Sequence, residues 1–201
     1  MYVPPAFAID ETEARALMAA VGFCTLVSRS KAGGLMATHM PMLQDGNRLI
    51  GHVAKNNPHG HEASDLCESL AIFTGPEGYV SPSFYATKQE TGKVVPTWNY
   101  RAVHVHGKLE IVSERAALRA IVERLTEHFE ARRPAPWKVS DAPADYVEAL
   151  LNGITGVVLH IERMEGAAKL SQNKTMADRE GVAAGFAADN PALSAAIRET
   201  F

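Results

Sequence analysis

The chain has 201 residues, 46% of them hydrophobic and 21% charged, with a formal net charge of −3. A chain of this size buries roughly 70% of its unfolded surface, so disorder, collagen-like repetition and a disulfide scaffold are excluded. The slight acidity argues against a protein built to grip a nucleic-acid backbone.

The two cysteines, Cys24 and Cys67, lie far apart among apolar neighbours and form no CxxC pair, so both read as buried free thiols. The segment Met1-Tyr2-Val3-Pro4-Pro5 has neither a basic stretch nor an apolar one. No apolar run approaches about 18 residues. The expectation is a cytoplasmic protein without membrane contact, in which the Asn173-Lys174-Thr175 sequon is fortuitous.

In chain order, Asp10 with Glu13 three residues on reads as a capping box, and Ala14, Leu17, Met18 and Val21 follow with the spacing of one buried helical face. Gly22 ends that helix, and the period then changes to two. Phe23 to Ser28, Leu35 to Leu43 and Arg48 to Lys55 read as a meander with turns at Lys31–Gly34 and Asp45–Asn47. A break at Asn56-Asn57-Pro58 precedes a short helix over 61–66. A strand over 70–74 is closed by Gly75-Pro76, and a loop rich in Gly, Pro and Ser runs to about Gly92. Val94 to Val112 reads as one bent strand or two, interrupted by Pro96.

Ser113 is the expected cap of a helix carrying Leu118, Ile121, Val122, Leu125 and Phe129, which stops before Pro134. Residues 134–143, including Trp137, read as a linker, 144–151 as a short helix, and 155–164 as the last strand. Helices over 175–187 and 191–200 follow, the second capped by Asn190 with Pro191 at its first position. A strand-rich centre with helical decoration and no βαβ unit predicts an α+β fold, mainly β, in which an antiparallel barrel carries helices outside. The chain contains no GxGxxG and no GxxxxGK[ST].

Several clusters are candidates for chemistry. His104 and His106 share one face of a strand and can reach one metal. The alternating Val103 and Val105 make a half-buried strand the simpler account, and no metal site is assigned. His59 and His61 flank Gly60 in a loop. Ser81 and Ser83 sit in a proline-containing turn and form no nucleophile elbow. Lys55-Asn56-Asn57, at a strand end before a proline-broken turn, offers a cation and two amides to a terminal phosphate, or is a solvated strand end. Thr97-Trp98-Asn99-Tyr100 can stack on a flat ring and bond its edge, or is a strand with core aromatics. Lys169-Leu170-Ser171-Gln172-Asn173 is a polar cluster after the last strand, either a loop or a segment that closes over a bound ligand. Together they suit a phosphorylated heterocycle. No residue is assigned as acid, base or nucleophile.

Five blocks and the N-terminal Tyr2–Phe7 carry a resemblance: His52–Pro58, Phe73–Pro76, Tyr79–Tyr85, Val95–Tyr100 and Lys169–Asn173. In this order they resemble the Pai-type FMN-binding negative transcriptional regulators. The resemblance implies a split β-barrel of the kind shared with pyridoxamine-phosphate-oxidase-like flavoproteins. It implies one FMN-binding domain over 1–201 with a helical C-terminal extension from about 174, and a homodimer with FMN in a cleft between subunits. Carried over by strand position, Thr38, His39, Lys55 and Asn56 lie near the phosphate and ribityl chain, and Asn57 beside them is a further cofactor-binding candidate. Thr97, Trp98 and Asn99 lie near the ring, and Lys169, Ser171 and Gln172 come from the C-terminal side.

Direct DNA binding rests on family analogy alone. No helix-turn-helix with a basic recognition helix is visible, and the basic residues of 115–138 alternate with Glu123, Glu127 and Glu130. The alternatives to a flavin-linked regulator are a flavin-dependent oxidoreductase, a haem-binding relative using His39, His52 or His104, and a fold that has lost its cofactor.

Overall fold

The computed structural model describes residues 1–201 throughout. Helix α1 (Glu11–Val21) follows a two-residue strand, β1 (Ala8–Ile9). Its capping box is present: Glu13 N donates to Asp10 Oδ1 at 2.8 Å and Asp10 N to Glu13 Oε2 at 3.2 Å. The meander comprises β2 (Phe23–Arg29), β3 (Leu35–Pro41), β4 (Leu43–Asp45) and β5 (Arg48–Ala54). The expected second strand is thus divided at Met42, whose N–H turns to Gly22 O. The tight β4–β5 turn rests on Gly46 at φ +61°, a conformation glycine adopts without a Cβ penalty.

Three long strands follow, β6 (Cys67–Val80), β7 (Thr97–Val112) and β8 (Ile154–Lys169). The sheet order is β3-β2-β6-β7-β8-β5-β4, with β1 antiparallel to the end of β8. This is a split antiparallel β-barrel with peripheral helices. One unit of the chain comprises Met18–Phe73 and His104–Met164; the other comprises Met1–Leu17, Thr74–Val103 and Glu165–Phe201. The three long strands each contribute residues to both.

In the first of these units, α4 (Arg115–Glu130) lays Ile121 and Leu125 on Ile50, Val112 and Val158. Below it, α5 (Ala144–Leu151) joins Leu118 and Val139 through Val147 and Leu151. In the other unit, α6 (Met176–Phe186) and α7 (Pro191–Arg198) bury Val182, Phe186, Leu193 and Ile197 against Val80, Ala168 and Leu170. At its N-terminus Asn190 accepts from Leu193 N, as the sequence predicts.

Several elements differ from expectation. Gly75-Pro76 does not end a strand, because β6 runs through both. Pairing of β2 with β6 covers only Ser69 to Ile72, so on the β2 side no ladder bond is asked of Pro76. The two short helices of the 56–92 region are α2 (Pro58–His61), earlier than the expected 61–66, and α3 (Thr87–Thr91), inside the expected loop. β7 is one strand that starts after Pro96. Glu114, not Ser113, caps α4: its carboxylate accepts from Ala116 N and Ala117 N at 2.9 and 2.7 Å. Cys24 is buried, but Cys67 is only half-buried. No helix is long and apolar enough to cross a membrane.

Candidate functional site

The candidate residues fall into two groups, each within one unit. In the unit containing Met18–Phe73, β5 ends at Ala54 and delivers Lys55 to the surface, where Lys55 N bonds Gly153 O. Lys55 lines a depression of about 150 Å³ together with Ser113, Arg115, Asn152 and Thr155. Arg115 is committed to Glu148 and Asn152. Lys55 has no carboxylate partner. An ammonium, two hydroxyls and an adjacent guanidinium in a small depression fit a phosphate. Sequence reading missed Arg115, Ser113 and Thr155, which come from distant segments; no local pattern marks them.

Asn57 caps α2 by accepting from His59 N at 3.0 Å. Thr38 on β3 donates to Asn57 Oδ1 at 3.1 Å, and its hydroxyl lies 2.8 Å from His59 Nδ1. Since the single Thr38 proton goes to Asn57, His59 Nδ1–H is the donor in the second contact. His59 Nε2 is then an acceptor, buried and without a partner. Burial lowers the His59 pKa, so the ring is neutral. His59 is therefore not the loop residue the sequence suggests but a fully buried one that fixes Thr38 and Asn57. His39, the next residue on β3, faces the other way and meets Thr25 Oγ1 through Nδ1 at 2.9 Å. Asn56 is exposed.

The second group lies in the unit containing Thr74–Val103 and Glu165–Phe201. Lys169, the last residue of β8, is half-buried and donates from Nζ to Thr97 Oγ1 at 2.6 Å; no carboxylate pairs with it. Two residues along each chain, Asn99 Nδ2 donates to Ser171 Oγ at 2.9 Å, and Ser171 Oγ reciprocates to Asn99 Oδ1 at 3.3 Å. Both are buried, and Ser171 has φ +67°. Gln172 braces this turn, accepting from Leu170 N and donating to Ala168 O.

Trp98 is not part of that set. Successive strand residues point to opposite faces, so Thr97 and Asn99 share a side and Trp98 takes the other. There it is 54% exposed and meets the half-exposed Tyr79 edge-on, with ring centroids 6.1 Å apart. The structure thus joins Thr97, Asn99, Lys169, Ser171 and Gln172, and pairs Trp98 with a tyrosine from β6. A half-buried ammonium beside a hydroxyl can bind an electron-rich ring edge or another anionic group, and an exposed indole can stack on a planar ring.

Residues 1–163 match the family model described as "Putative FMN-binding domain". The chain belongs to this family. It is 41% identical over 173 residues to an uncharacterized protein of Aspergillus fumigatus, covering 69% of this chain and 65% of that protein's length. It is 30% identical over 182 residues to the protease synthase and sporulation protein PAI 2 of Bacillus subtilis, covering 89% and 85% of the two chains. The Pai-type resemblance of the sequence blocks is thereby borne out. The FAD and heme binding protein from Mycobacterium smegmatis shares the fold, with a TM-score of 0.57 at 15% identity over 80% of this chain and 71% of that one. Lys169, Ser171 and Gln172 lie beyond the residues matched by the family model.

Proposed function

We propose that this protein is a flavin-linked regulator that binds FMN without a covalent bond and works as a homodimer. Lys55, with Thr38, His39, Asn56 and Asn57 of the same unit, is assigned to the phosphate and ribityl chain. Thr97, Trp98, Asn99, Lys169, Ser171 and Gln172 are assigned to the ring. The observation that carries the reading is Lys169: a half-buried cation without a carboxylate, braced on Thr97 in a chain of the FMN-binding domain family. Bound there, FMN would supply a redox-active, light-absorbing ring. Lys169 and Thr97 would orient its polar edge, Asn99 and Ser171 would hold the backbone that presents Lys169, and Trp98 would stack. The likeness to the protease synthase and sporulation protein of B. subtilis supports a regulatory role, and the net charge of −3 favours one exerted without gripping duplex DNA.

Strand alternation supports the dimer. One protomer presents the indole and the ammonium on opposite faces of β7, so a ring touching both is supplied by two protomers. Equilibrium binding of FMN, read by flavin fluorescence, tests this. Lys169→Ala and Trp98→Ala each weaken FMN by about 10–100-fold, the value of a charge-assisted bond or a stacked aromatic. Mixing the two variants under subunit exchange restores tight binding to one of the two sites in each mixed dimer. Loss in both variants without restoration refutes the shared arrangement. Parent-like affinity in Lys169→Ala refutes the ring assignment. Lys55→Ala weakens FMN but not riboflavin, and equal effects on both remove Lys55 from the phosphate.

A further inference from the structure

In the unit containing Met18–Phe73 and His104–Met164, one side of the sheet is covered by a helix over part of its width only. There α4 lies on Ile50, Val112 and Val158, all buried. Alternation along β7 puts Lys108 on the same side as Val112, and Lys108 Nζ reaches Glu68 Oε1 of β6 at 3.4 Å. Glu68, Leu70 and Ile72 therefore share that side. The register carries it further: Leu70 pairs with Val27 and Ile72 with Thr25 on β2, while Val27 and Arg29 pair with Ala37 and Leu35 on β3. Beyond α4 this side stays apolar but is open to solvent. Leu35 is 76% exposed, Phe23 52%, Ala37 is exposed, and Val27, Leu70 and Ile72 are half-buried. The opposite side of β2 and β6 carries Leu26, Ala71 and Phe73, all fully buried. An antiparallel sheet with a solvated face turns polar residues to the water, so strands apolar on both faces leave one face without its cover.

We infer that this face is a self-association surface, covered by the same face of a second copy of the chain. The inference rests on the homodimer proposed above and supplies its surface. Charge and area choose the occupant. Arg29 on β2 makes no ion pair within the protomer, and the Glu68 side chain on β6 is 90% exposed. A two-fold axis along the strands, between β2 and β6, sets Arg29 against Glu68 of the partner subunit and lays apolar rows on apolar rows. The strands β3, β2, β6 and β7 lie about 4.8 Å apart and advance about 3.4 Å per residue. Over the length of β2 they make a face of roughly 450 Å² in flat projection. The relief of the side chains brings its accessible area towards the ~600 Å² per partner at which specific interfaces begin, so the dimer is of micromolar strength.

Sedimentation equilibrium of the full chain without FMN reads this surface apart from the flavin. The parent is a dimer at tens of micromolar. Val27→Asp sets a charge at the centre of the face and weakens the dimer at least about 100-fold, with the parent's circular dichroism retained. Arg29→Glu, at an exposed position that the fold does not use, weakens it about tenfold through two like-charge contacts, and adding Glu68→Lys restores it. Leu150→Asp, at a position 55% exposed on α5, leaves the dimer unchanged. A parent that is monomeric at this concentration overturns the surface and the homodimer together. A dimer that survives Val27→Asp or Arg29→Glu, a pair of substitutions that restores nothing, or dissociation by Leu150→Asp overturns the surface and leaves the homodimer standing.

Discussion

The reciprocal pair Asn99–Ser171 allows a quantitative test of how the Lys169 turn is held. Ser171 sits at φ +67°, where an L-residue costs about 1–2 kcal/mol. The pair must offset that cost, because both side chains are buried and each bonds the other. Asn99→Leu leaves the Ser171 hydroxyl without its partner, and Ser171→Ala strands the Asn99 amide. Each orphaned group costs about 1–3 kcal/mol, so each single variant loses about 2 kcal/mol. In a chain of this length that lowers Tm by roughly 4–8 °C. The double variant orphans neither group and loses no more than about 2 kcal/mol, where additivity gives about 4. Urea unfolding followed by circular dichroism measures the cycle. Costs that add to within about 0.5 kcal/mol would falsify the claim that the two side chains act as one clamp.

Three further outcomes follow from the packing. Burial raises the Asp178 pKa, but bonds from Thr87 N at 2.9 Å and Thr87 Oγ1 at 2.7 Å, with Thr175 and Lys174 nearby, outweigh it and hold the carboxyl below its usual range. Its contribution is therefore present above about pH 4, the ordinary carboxylate value, and is lost as pH falls through the lowered one. Asp178→Asn should narrow the stability difference between pH 7 and pH 3, and an unchanged difference refutes the linkage. A Cβ on Gly107 would stand 1.9 Å from the His160 carbonyl oxygen, so Gly107→Ala costs about 3 kcal/mol at the upper end of overpacking. A Tm within about 2 °C of the parent contradicts that close approach. Burial pushes the Cys24 thiol up to about 12, so a thiol reagent at pH 8 labels Cys67 first and Cys24 only on unfolding. Equal labelling rates would show that β2 opens readily.

What the sequence reveals is what neighbours along the chain decide. Asp10 and Glu13 are three residues apart, so their capping box is legible, as is the Asn190 cap. The alternation of Val103 and Val105 with His104 and His106 is also local, and both valines are fully buried. Pro76 misleads because tolerance of proline depends on where β2 stops pairing, which lies outside any short window. The cap of α4 misleads for a subtler reason. Ser113 and Glu114 are adjacent acceptors, and only the helix start shows that the longer side chain reaches both amides. The residues that share a depression with Lys55 escape notice because Ser113, Arg115 and Thr155 come beside it only after β5, α4 and β8 are assembled.

The Thr97-Trp98-Asn99 block shows the same limit at the point that matters for function. As a string it offers a hydroxyl, an indole and an amide within three residues, which invites a single binding surface. The strand period divides it: the hydroxyl and amide turn to Lys169 and Ser171, and the indole turns to Tyr79. A local signal of composition is thus correct about which residue types are present and silent about which side they serve. The division also constrains the chemistry. On the proposed reading, a planar ligand that stacks on the indole and meets the cation at its edge takes the two groups from two copies of β7. Dimerisation on this account is a condition for ring binding, and a monomeric variant that keeps its fold should lose the flavin along with its partner.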